Sequence, residues 1–119
     1  MLFVILLFAC TTATGTWEGK CTYDSQSINV ELDLDEEGGV VSGDAKFSSN
    51  GETYDGDVEG ERDEEDVELD IEVSSGGTSV VWTFEGEIDG DDLDGNLGIE
   101  SEVGGLAVVV VADCELERD

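Results

Sequence analysis

The segment SINVELDLD, residues 27–35, decides the fold. Ile28, Val30, Leu32 and Leu34 fall on one side of an extended chain, and Glu31, Asp33 and Asp35 fall on the other. A period of two is the alternation of a strand with one face buried and one in water. DVELDIEV (66–73) repeats it, with Val67, Leu69, Ile71 and Val73 inward. TSVVWTFEGEID (78–89) groups Val80, Trp82, Phe84, Gly86 and Ile88, and DLDGNLGI (92–99) groups Leu93, Gly95, Leu97 and Ile99. LAVVVVADCEL (106–116) is apolar on both faces at first, then settles with Val108, Val110, Ala112, Cys114 and Leu116 on one side. Three fainter strands are GTWEGKCTY (15–23), VVSGDAKFS (40–48) and ETYDGDVEG (52–60). No window carries a helical period.

Between these runs lie DSQS, EEGG, SSNG, RDEE, SSGG, DGD and EVGG. Glycine pairs and Asn-Gly or Asp-Gly steps supply the positive φ angles of tight hairpins. Eight strands joined by seven short connections leave no room for a crossover helix, so consecutive strands are antiparallel neighbours. Such a meander has two open edges unless its last strand meets its first. Closure makes an all-β, eight-stranded antiparallel up-and-down barrel, and a β-sandwich is the alternative. Inward glycines recur at Gly19, Gly43, Gly56, Gly60, Gly86 and Gly95. Glycine weakens a strand, so repetition points to bends and close approach in a small barrel. Trp17, Phe47, Tyr54, Trp82 and Phe84 then fill or line the interior.

The chain has 119 residues, the size of one domain. Asp and Glu number 32 against 4 Lys and Arg, a net charge of −28. That surface repels nucleic-acid phosphates and anionic lipid head groups, and it attracts cations and basic proteins. There is no His. Ser-His-Asp and Cys-His catalysis are therefore excluded, and the usual zinc ligand is missing.

Leu2 to Ala9 is an apolar run too short to span a bilayer as a helix, and it has the length of a signal-peptide core. Leu7-Phe8-Ala9-Cys10 resembles the lipobox of bacterial lipoproteins. The resemblance implies a signal peptide over residues 1–9 and a lipid on Cys10, with residues 10–15 as a tether and residues 16–119 as the barrel domain. It also implies export to the cell envelope, with membrane contact only through the lipid. The alternatives are a buried first strand with a free core cysteine and a simple cleaved secretory signal. Three cysteines leave one unpaired in an oxidising compartment. Cys21 on strand one and Cys114 on strand eight both point inward, and closure sets them, one early and one late in the chain, opposite one another. A Cys21–Cys114 disulfide is expected there, with two free thiols as the alternative.

Gly15-Thr16-Trp17 at the start of strand one resembles the Gly-x-Trp signature of lipocalins and related calycin barrels. In that family the Trp closes one barrel end against a basic residue from late in the chain, a place Arg118 matches by position. The resemblance implies a carrier of a small apolar ligand.

The acidic clusters are the remaining candidates for chemistry. Asp89, Asp91, Asp92 and Asp94 make a candidate calcium loop. It does not follow the EF-hand pattern, because Leu97 and Val103 stand where Gly and Glu are required. The strand acids face outward, and no inward acid is expected, so glycoside-hydrolase-type carboxylate pairs have no cleft to work in. The expectation is a monomeric, non-enzymatic module without a cofactor. It binds either a small apolar ligand inside or cations and a basic protein partner on its acidic exterior. A filled interior would favour the second.

Overall fold

A computed structural model describes residues 12–75, 77–103 and 105–118. The expected signal segment and Cys10 lie outside them. The eight strands are β1 (Gly15–Tyr23), β2 (Gln26–Glu37), β3 (Val40–Ser49), β4 (Glu52–Asp63), β5 (Asp66–Ser75), β6 (Thr78–Asp89), β7 (Asp92–Val103) and β8 (Leu106–Arg118). Each pairs antiparallel with its neighbour in sequence, and β8 returns to pair with β1. The meander is therefore a closed barrel, and the sandwich alternative is set aside.

The hairpins turn where the sequence allows positive φ. Asn50 and Gly51, at φ of 52° and 81°, join β3 to β4. These are the two central positions of a turn whose twist matches the flanking strands. Inside the wall, Gly86 of β6 and Gly95 of β7 are direct partners. A Cβ on Gly95 would stand 2.2 Å from the Glu85 carbonyl oxygen and 2.6 Å from the Gly86 Cα. The two strands approach too closely there for any side chain, as a tightly curved small barrel requires.

The alternating residues form the core. Val30, Leu32, Leu34, Val67, Leu69, Ile71, Val73, Leu93, Leu97, Ala112 and Leu116 are all buried. Cys21 and Cys114 are register partners and are joined as a disulfide. This link spans 93 residues and fastens the β1–β8 seam. Burial is uneven along the barrel axis. Apolar inward residues at the Trp17 end are fully covered, while Tyr23, Ile28, Tyr54, Trp82 and Ile99 at the other end are only partly buried.

Candidate functional site

The Trp17 end of the barrel is closed by its own N-terminal segment. Thr12 to Thr14, inside the expected tether, lies across that end, with Ala13 fully buried. The Trp17 indole N–H donates to the Ala13 carbonyl at 2.9 Å. Arg118, the last residue of β8, stacks on Trp17, its guanidinium carbon 4.5 Å from the ring centroid. Its Nη1 donates to the carbonyls of Thr12 and Thr14 at 2.6 and 2.9 Å. Its Nη2 and Nε reach the Gly90 carbonyl and the Asp91 carboxylate of the β6–β7 turn. One cation thus ties the chain entry, the indole and a turn together.

A second cation acts at the same end, reaching the chain entry through a carboxylate, and here an expectation fails. Glu36 and Arg62 occupy inward positions on β2 and β4, so the interior does hold an acid. The Glu36 side chain is only 4% exposed. It pairs with Arg62 in a fork, Nη2 to Oε2 being 2.8 Å, and Oε1 accepts the Ala13 N–H at 2.8 Å. The Arg62 guanidinium holds the Glu36 carboxyl below its ordinary value against the opposing effect of burial, with help from the Ala13 N–H. An acid held ionised in an ion pair has the opposite tuning from a raised-pKa proton donor. Its position fits a structural bolt.

The residues expected to line the interior are spread along it. Trp17 plugs the closed end and Phe84 is buried. Phe47 and Tyr54 are register partners on β3 and β4, and Trp82 meets Phe47 edge-to-face at 4.9 Å between centroids. These three cluster toward the open end. The Tyr54 hydroxyl turns outward and donates to Glu52 at 2.6 Å. The Trp82 indole nitrogen is buried and has no hydrogen-bond partner among the described residues.

Asp89, Asp91, Asp92 and Asp94 stand exposed around the β6–β7 hairpin. Among the described residues no group of three or more His, Cys, Asp or Glu converges to hold a metal ion. Asp91 is engaged by Arg118 instead.

The outer wall carries the charge. The register aligns acids directly across four strands: Asp33 opposite Asp44, Asp44 opposite Asp57, Asp57 opposite Glu72. A second row runs Asp66, Glu87, Asp94, Glu115 and ends on Lys20. Facing like charges destabilise a sheet by a few tenths to about 1 kcal/mol per pair. Around the first row lies a shallow depression of about 410 Å³, lined by Glu31, Asp44, Asp55, Asp57 and Glu72 with Lys46 among them. A barrel spanning a bilayer carries its apolar side chains outside. This one carries acids there. Sequence reasoning found the outward face but not the rows, because register cannot be read from one strand at a time.

No protein-family model matches the chain, and no curated protein matches it.

Proposed function

We propose that the chain is a non-enzymatic binding module of the cell envelope whose acidic outer wall holds cationic partners. The observation that carries this is the Asp33–Asp44–Asp57–Glu72 row. An alignment that costs the free protein stability is offset when a polycation sits across it. The packed closed half and middle of the barrel, lined by buried side chains, support an exterior role. The disulfide fits an oxidising compartment, and with it export and a lipid on Cys10.

Oligolysine titration by calorimetry tests the reading. Binding should be tight at low salt and weaken steeply toward about 0.5 M NaCl, where screening is nearly complete at contact distances. Neutralising the row (Asp33→Asn, Asp44→Asn, Asp57→Asn, Glu72→Gln) should weaken it more than neutralising Asp66, Glu87, Asp94 and Glu115. Equal losses from both sets, or no binding at low salt, would refute it.

One observation favours a second reading, a carrier of a small apolar ligand. The Trp82 indole N–H has no partner among the described residues, in the open half and beside the Phe47 ring. A ligand with an apolar body and one acceptor would complete it. Fatty-acid titration followed by Trp fluorescence checks this, and a flat titration removes the reading.

A further inference from the structure

The strands of the barrel are unequal, and their lengths open it at one corner. β1 has 9 residues and β8 has 13. Both are anchored at the closed end by the Trp17–Arg118 pairing, and their ladder stops at Thr22 opposite Asp113. Beyond it β1 turns back through Asp24 and Ser25, both at positive φ. β8 continues as Leu106–Ala112 with no partner on that side among the described residues. On the other side of the same hairpin, β6–β7 pairing stops at Thr83 opposite Gly98, while β7 runs on to Val103. Among the described residues, the end of the β7–β8 hairpin therefore pairs only with itself, from Ile99 opposite Val110 to Val103 opposite Leu106.

This free edge differs in chemistry from the rest of the wall. The sequence from 104 to 112, GGLAVVVVA, has no charged residue in a chain carrying 32 acids. Val109 and Val111 face outward at 62% and 60% exposure, and Leu106 is 71% exposed. A bare apolar strand edge is a liability that proteins normally blunt with charges, proline or a covering segment. Here there is neither charge nor proline. Acids frame it: Asp24 and Asp113 where β1 ends, and Glu100 opposite Val109.

We propose that the β8 edge at Leu106–Ala112 is a strand-addition site for an extended partner segment that alternates apolar and basic residues. The free backbone groups supply the ladder, Val109 and Val111 supply the flanking apolar contacts, and the acidic frame selects basic residues at the segment's ends. A second copy of this chain brings the same net charge of −28 and is repelled by that frame. The inference rests on the proposed preference for cationic partners and adds the place and conformation in which such a partner is held.

The experiment uses the full chain and two end-blocked heptapeptides, one alternating Lys and Val and one of Lys alone, followed by fluorescence anisotropy. Neighbouring N–H groups on a strand point to opposite sides. Of Val109→Pro and Val110→Pro, one therefore removes a donor from the free edge and the other damages the β7 ladder, and thermal melting tells them apart. The edge-directed variant should keep its melting temperature and bind the Lys-Val peptide about tenfold more weakly, while oligolysine binding changes less than about twofold. On the unaltered chain, the Lys-Val peptide should slow amide exchange within Leu106–Ala112. Unchanged exchange there overturns the proposal, as does a Lys-Val peptide that binds no better than the all-Lys one. In both cases oligolysine binding leaves the acidic-wall reading standing, whereas loss of binding to both peptides overturns both. A dimer in sedimentation that the edge-directed variant dissolves gives the edge to a second copy and also overturns the proposal.

Discussion

Replacing Cys21 and Cys114 together by Ala opens the covalent fastening of the β1–β8 seam. The closed loop spans 93 residues, so chain entropy alone favours the opened unfolded state by about 4.6 kcal/mol. Both cysteines are almost fully buried, and two lost sulfurs add about 1 kcal/mol of packing loss. Domains of this size are stable by about 5–15 kcal/mol in total, so the fastening accounts for a third or more of stability. At about 4–8 °C per kcal/mol, the melting temperature should fall by roughly 20–45 °C. Circular dichroism through thermal and urea unfolding measures it. The urea m-value should rise as well, because an unlinked unfolded chain exposes more surface. A loss under about 1 kcal/mol with an unchanged m-value would show that the link does not restrain the unfolded chain and would refute the reasoning.

Three further outcomes are expected. Neutralising the Asp33–Asp44–Asp57–Glu72 row removes three facing like-charge pairs and should stabilise the protein at low salt by about 0.6–3 kcal/mol, and this gain should vanish in concentrated NaCl; calorimetric melts check both. Glu36 has a lowered folded-state value, so its stabilising effect is complete above the unfolded carboxylate value of about 4.3 and is lost as pH falls through the lower folded value. Glu36→Gln should cost about 2–4 kcal/mol at neutral pH and abolish that low-pH loss in urea titrations. Arg118→Met should cost about 2–4 kcal/mol and expose Trp17, seen as a red-shifted emission; an unshifted spectrum would mean the arginine is not the cover.

The fold was legible because alternation is a local property: each of the eight strands announces its buried face through its own residues. Closure was legible from the inward cysteines at the two ends of the chain. The Glu36–Arg62 pair was missed for a definite reason. Apolar alternation fades before β2 and β4 end, so both residues read as turn, yet each strand runs to the rim and carries an inward polar residue there. The matching Arg118–Trp17 stack was anticipated from the Gly-x-Trp resemblance and from position. The free edge of β8 was hidden differently. It depends on a difference in length between strands far apart in sequence, and only the assembled register turns that difference into unpaired backbone.

The seating of Thr12–Thr14 also decides how the molecule bears load. A pull on the N-terminus acts first on the carbonyls held by Arg118 and on the Ala13 N–H held by Glu36. Once those give, β1 can peel only as far as Cys21, where the bond to Cys114 passes the tension directly into β8. The chain from Thr12 to Cys21 pays out at most about 30 Å before that stop. Tension applied through the N-terminus would thus strip the plug and part of one strand, leaving the rest of the wall, with its acid rows, in register.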